Sequence, residues 1–164
     1  MILIVSPLHE VETVIRARRP SHIVSLASPG AAEPDLPSSL ERLALNFHDI
    51  VEPADGLQPV TEEQVERLLA FAAAWPRTAP LLVHCWAGVS RSPAAAYAIA
   101  CMIRGEGETE ALAWRLRRAA PFATPNRRLV ALADQILGRQ GAMVAAIAAI
   151  ARGADTFTGA TFDL

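Results

Sequence analysis

The stretch Leu81-Leu82-Val83-His84-Cys85-Trp86-Ala87-Gly88-Val89-Ser90-Arg91-Ser92-Pro93 decides the fold. Leu81 to Val83 is a short apolar run of the kind that forms a buried strand. Pro93 suits the first turn of a helix, where a missing N–H costs nothing, and that helix is predicted to run to about Arg104 before Gly105. Between them lies a loop, His84 to Ser92, that passes from a strand end into a helix start. Such a loop aims free backbone N–H groups at one spot and adds the positive end of the helix dipole, which together attract an anion.

The residue types inside the loop fit that chemistry. The five residues between Cys85 and Arg91, namely Trp86, Ala87, Gly88, Val89 and Ser90, are enough to wrap main-chain amides around a tetrahedral oxyanion. Gly88 permits backbone angles and a close approach that a side chain would obstruct. Arg91 brings a planar fork able to bind two oxygens at once. The same positive surroundings favour the thiolate of Cys85, the nucleophilic form. Ser92 is within reach as a hydrogen-bond donor to that sulfur. Trp86 is open to two readings, a lining of the pocket mouth or ordinary packing.

Outward from the loop, strands and helices alternate. The apolar start, Met1 to Val5, gives a buried strand over Ile2 to Val5, closed by Ser6 and Pro7. Leu8, Val11 and Ile15 follow at helical spacing until Pro20, and Ile23 to Leu26 is a second strand. Ser28 to Ser39, rich in proline, serine and small residues, reads as loop. Leu43, Leu45 and Phe47 alternate as one buried face of a strand. Thr61 and Gln64 form a capping box ahead of Val65, Leu68, Leu69 and Ala72. Further helices fit Thr109 to Ala119, Asn126 to Leu137 and roughly Gln140 to Arg152. The pattern predicts an α/β fold, a mostly parallel sheet of about four strands flanked by helices. It is read as one domain over 1–164, with a helical tail from about residue 139.

Composition narrows the function classes. Of 164 residues 52% are apolar and 20% charged, so a folded globular chain is expected rather than disorder. The formal charge of −2 gives no pull toward nucleic acid or an anionic membrane. Every one of the 15 basic residues is arginine, which with the abundant alanine suggests a bacterial gene of high GC content. With only Cys85 and Cys101, a disulfide framework is not expected, which suits a reducing cytoplasm. Cys101 lies ten residues beyond Arg91 in the same predicted helix, roughly 15 Å along its axis, and reads as core. The apolar start is too short for a signal peptide, and no apolar run reaches membrane-spanning length. A cytoplasmic protein is expected.

His84 to Ser92 matches the H-C-x-x-G-x-x-R-S/T signature of the protein tyrosine phosphatase superfamily and most resembles its dual-specificity branch. Five fixed positions arise by chance only a few times in roughly 10⁵ chains of this length. Pro125-Asn126-Arg127-Arg128-Leu129 is similar to the family's later proline-asparagine motif, in which the asparagine braces the phosphate loop. The likeness covers Ile2 to Leu137; the tail after Gly138 lies outside it.

The resemblance implies phosphomonoester hydrolysis through a phosphocysteine on Cys85, with Arg91 binding phosphate, Ser92 assisting the sulfur and His84 supporting the loop. It implies an aspartate upstream as general acid. Two residues qualify: Asp49, at the end of the Leu43 to Phe47 strand and preferred, and Asp55, nearer the usual spacing from the cysteine but in a turn. No cofactor and no metal is implied, because Arg91 and the loop amides stabilise the charge. The partner is a phosphorylated protein or a small phosphomonoester. The competing classes are a non-catalytic phosphate-binding module and a phosphatase for small molecules. Arg115, Arg117, Arg118, Arg127 and Arg128 read as a solvated helix face rather than as a substrate-attracting patch.

Overall fold

The computed structural model describes residues 2–32 and 34–164; Met1 of the apolar start and Glu33 of the expected loop lie outside the described residues. A five-stranded sheet forms the centre, built from β1 (Leu3–Pro7), β2 (His22–Ala27), β3 (Glu41–Asn46), β4 (Leu81–Cys85) and β5 (Phe162–Asp163), in the order β3-β2-β4-β1-β5. The first four strands are parallel, and β5 runs antiparallel to β1. The helices are α1 (Val11–Arg18), α2 (Glu62–Ala74), α3 (Arg91–Arg104), α4 (Thr109–Ala119), α5 (Arg127–Ile136) and α6 (Ala142–Ala149), with short 3₁₀ turns ahead of α1 and α4.

Burial follows from position in the sheet. β1 and β4 are buried at every residue, as central parallel strands covered on both faces must be. β3, at an edge, is mostly exposed. Alternate residues of a strand face opposite sides. Leu3, Val5, Val24 and Val83 therefore join the large core under α2 to α6, while Ile4, Ile23 and Leu82 join Val11 and Val14 of α1 on the other face. The alanine-rich α3 is apolar nearly all round, and it is buried from Arg91 to Cys101, packed against β1, β4 and three helices. Among the described residues no helix is long and apolar enough to cross a membrane.

Two boundaries differ from the sequence expectation in ways that matter for the site. The strand expected to stop at Val83 continues through His84 and Cys85, because both pair with β1. The helix begins at Arg91, placing Pro93 in its first turn. The tail differs more. Only Ala142–Ala149 is helical; beyond it the chain runs extended and ends as β5, the strand that raises the count from about four to five.

β4 lies between β2 and β1, so the chain order reverses there. In open parallel sheets the crevice beyond the carboxyl ends of strands at such a point is where ligands bind. The loop after Cys85 occupies that crevice.

Candidate active site

The loop Trp86–Ser90 is fastened through its carbonyl oxygens. Leu8 N–H donates to Trp86 O at 3.1 Å, Gly159 N–H to Ala87 O at 2.8 Å, Thr124 N–H to Val89 O at 2.8 Å and Asn126 N–H to Ser90 O at 3.2 Å. A trans peptide unit carries its C=O and N–H on opposite sides. With these carbonyls tied to the surroundings, the N–H groups of Ala87, Gly88, Ser90 and Arg91 turn the other way. One of them is already engaged: Gly88 N–H donates to Cys85 Sγ at 3.3 Å.

Gly88 is required here twice over. Its φ of +71° is rarely adopted by residues with a side chain, and a Cβ would lie 2.8 Å from Pro7 N and 3.1 Å from Ser6 C, both main-chain atoms.

Cys85 is buried, and its Sγ also lies 3.1 Å from Ser92 Oγ at the start of α3. Arg91 is buried beside it, only 6% exposed. Its Nη1 donates to Phe47 O at 3.0 Å and to Ser28 Oγ at 3.3 Å, whereas its buried Nε has no hydrogen-bond partner among the described residues. A buried charged donor left unpaired costs free energy, and an anion in the loop would satisfy it. Among the described residues the guanidinium is thus anchored through Nη1, and its Nε remains uncommitted.

His84 supports the sheet rather than the loop backbone. Its Nε2 shares a 2.7 Å hydrogen bond with Ser25 Oγ on β2, and Nδ1 has no hydrogen-bond partner among the described residues. Burial pushes its pKa down to about 4, so the ring is neutral near pH 7.

The two candidate acids are in different surroundings. Asp49 Oδ1 accepts from Ser90 Oγ and from Asn126 Nδ2, each at 2.8 Å. Asn126 is buried as the N-cap of α5, where its Oδ1 accepts from Leu129 N–H at 3.0 Å. Asp55 sits in an exposed turn closed by Leu57 N–H on Ala54 O, and among the described hydrogen bonds it makes none with the loop. The structure brings Cys85, Gly88, Arg91, Ser92, Ser90, Asn126 and Asp49 together and leaves Asp55 apart.

Next to the sulfur is a cavity of about 230 Å³. Cys85, Arg91, His84 and Ser25 line it with a largely apolar wall of Leu8, Leu26, Ala27, Ala31, Pro34 and Trp86. Trp86 is 55% exposed. Asp49 lines a second, open cleft with Ser90, Asn126, Arg127 and Arg152. Among the described residues no group of three or more His, Cys, Asp or Glu side chains is arranged to hold a metal ion.

Several residues of the site carry no local signal in the sequence: Ser28 and the Phe47 carbonyl on Arg91, Ser25 on His84, Thr124 and Gly159 on the loop. The arginines are also not a uniform solvated face. Arg117 donates to the carbonyls of Ala120, Pro121, Ile150 and Ala151, and Arg128 to those of Val51 and Val60. Cys101 is fully buried in the core, and burial raises its pKa to about 11.

Comparison with family models and with curated protein sequences finds no match. Solved structures do match. The crystal structure of DUSP15 aligns with a TM-score of 0.66 and 18% identity, over 88% of this chain and 89% of that one. Human DUSP28 aligns at 0.62 and 21%, over 85% and 94%. The Yvh1 phosphatase domain from Chaetomium thermophilum aligns at 0.57 and 19%, over 86% and 93%. The chain has the α/β fold of these phosphatases over most of its length.

Proposed function

We propose that the protein hydrolyses phosphomonoesters, as a protein tyrosine or dual-specificity phosphatase, through a phosphocysteine on Cys85. The observation that carries this reading is Arg91: a buried guanidinium lining the same cavity as Cys85, tethered through Nη1, whose Nε has no hydrogen-bond partner among the described residues. An arginine held so, following a loop that leads into a helix N-terminus, suits a tetrahedral dianion.

The phosphoryl group sits on the loop amides and on the free edge of Arg91. Cys85 Sγ attacks phosphorus from below, a sulfur–phosphorus bond forms, and the bond to the ester oxygen breaks. The departing oxygen takes a proton from Asp49. Among the described residues both hydrogen bonds to Asp49 use Oδ1, which leaves Oδ2 for this transfer. Asp55 is the alternative donor. In the second step the Asp49 carboxylate takes a proton from water as its oxygen attacks phosphorus. The sulfur–phosphorus bond breaks and inorganic phosphate leaves. Ser92 Oγ–H, 3.1 Å from the sulfur, stabilises the departing thiolate. Trp86 and the amides of Ala87 to Arg91 complete the substrate contacts, and no step needs a metal.

The test is turnover of aryl phosphates by purified protein in the presence of a chelator, with acid-quench trapping of the phosphoenzyme. Activity that vanishes in Cys85→Ser, with retained binding of inorganic phosphate, supports the reading. Substantial turnover by that variant removes Cys85 from the mechanism, and activity that returns only on adding metal replaces it with a different chemistry.

A further inference from the structure

β2 runs out at Ala27, and the chain turns at once through Ser28-Pro29-Gly30-Ala31. Proline presets the second place of such a turn. Gly30, at φ +78°, takes the left-handed third place that a type II turn reserves for glycine. Ala31 N–H closes the turn on Ser28 O at 3.0 Å. Ser28 is therefore held from both sides. Behind it Ala27 pairs with Asn46 of β3, and Ala27 O accepts from Phe47 N–H at 2.9 Å. Ahead of it Ala31, Ala32 and Pro34 line the cavity that holds Cys85 and Arg91, and Ser28 is itself on that wall.

The ends of β2 and β3 thus bring two acceptors together, and both take Arg91 Nη1: Phe47 O at 3.0 Å and Ser28 Oγ at 3.3 Å. Phe47 also sets its ring centroid 6.0 Å from the guanidinium carbon, at the reach of a cation–π contact. The two N–H bonds of Nη1 lie in the plane of the guanidinium. One acceptor fixes a point of attachment about which the group can still pivot, whereas two acceptors on that nitrogen fix the plane. Two-pronged binding of an oxyanion needs this plane set before the ligand arrives. The Phe47 acceptor is main chain and is present whatever side chain stands there. Among the described hydrogen bonds, Ser28 is the one side chain that holds Arg91.

We infer that Ser28 is a positioning residue for Arg91, its hydroxyl fixing the guanidinium plane in which the phosphoryl oxygens are met. This rests on the phosphatase reading, and within it only on Arg91 binding the phosphoryl group.

The experiment uses the full chain, Ser28→Ala and Ser28→Thr, with orthovanadate as the oxyanion. Its affinity is read without turnover, from the protection it gives Cys85 against alkylation by iodoacetamide, followed by mass spectrometry. Phenyl phosphate kinetics run alongside. In Ser28→Ala the vanadate concentration for half-protection is expected to rise about 2- to 12-fold, the range of one hydrogen bond, and kcat/KM to fall by a similar factor. Alkylation without vanadate stays within about twofold of wild type, because the hydrogen bonds to Cys85 Sγ come from Gly88 and Ser92 and not from Ser28. Ser28→Thr keeps the hydroxyl and restores both values. Unchanged half-protection in Ser28→Ala overturns the inference, as does a threonine variant that restores nothing. So does unprotected alkylation that shifts in step with vanadate affinity, since Ser28 would then be shaping the surroundings of the sulfur. A wild type that vanadate protects but that leaves phenyl phosphate intact overturns the phosphatase reading alone; one that vanadate does not protect overturns both.

Discussion

Asn126 Nδ2 donates to Asp49 Oδ1 at 2.8 Å and thereby joins the head of α5 to the segment that follows β3. The same oxygen accepts from Ser90 of the loop. Asp49→Asn can keep both contacts through its own amide oxygen, and it removes only the transferable proton. Loss of that proton matters most for a basic leaving oxygen such as tyrosine's, with a phenol pKa near 10. Catalytic efficiency of Asp49→Asn is expected to fall roughly 10²- to 10⁴-fold on phenyl phosphate and progressively less on esters of more acidic phenols. Asp55→Asn is expected to match wild type across the series. A leaving-group dependence that steepens in Asp55→Asn instead would move the acid to Asp55.

Arg91→Lys separates charge from shape. The guanidinium meets Phe47 O and Ser28 Oγ with one nitrogen, and in the proposed mechanism its other edge binds the phosphate. A lysine ammonium is a single point and cannot serve both. Each charge-assisted hydrogen bond is worth about 1.5–3 kcal/mol, so loss of the bidentate contact is expected to lower catalytic efficiency by at least about 100-fold. Steady-state kinetics checks this, and a variant within threefold of wild type would leave Arg91 a structural residue.

The elements with a strong local pattern were readable before the structure. The Thr61–Gln64 capping box forms as the spacing requires, with both reciprocal bonds in place. Thr109–Ala119 is helical over the span that its periodicity predicts. What escaped is tertiary. Asp134 looks like a surface residue of α5, yet it is buried and accepts from the N–H groups of Gly141 and Met143 at the start of α6. Arg117 likewise serves carbonyls that are unsatisfied only because the chain folds back beside them. The extended run after α6 has few apolar residues and no period. Its one usable hint is the pair Phe162 and Leu164, both buried, flanking an exposed Asp163.

His84 predicts an acid-side loss of stability. Its pKa is lowered by burial from the ordinary 6.5 to about 4, so below pH 6.5 the unfolded chain binds a proton that the native ring resists. More protons on the unfolded state mean that stability falls as pH falls, from about 6.5 down to about 4. Between pH 7 and pH 5 this one group is expected to remove about 2 kcal/mol. Urea midpoints for wild type and His84→Gln at both pH values measure it. The difference between the two proteins is expected to shrink at pH 5, and parallel losses would mean that His84 titrates normally.

Gly159 connects the segment after α6 to Cys85 through a single peptide plane. Its N–H holds the Ala87 carbonyl, and the other side of that plane is the Gly88 N–H that donates to Cys85 Sγ. A methyl group on Gly159 cannot fit against the half-buried Phe122 ring, which itself packs edge-on to Phe162. Gly159→Ala must therefore displace either the ring or the segment, and displacement of the segment releases the Ala87 carbonyl. One hydrogen bond contributes about 0.5–1.5 kcal/mol, so orthovanadate inhibition is expected to weaken by about 2- to 12-fold. Phe122→Ala opens the space that the added methyl needs. The double variant Gly159→Ala/Phe122→Ala should accordingly recover vanadate inhibition relative to Gly159→Ala alone, even though it is less stable. Unchanged inhibition in the single variant, or no recovery in the double, would detach the C-terminal segment from the phosphate loop.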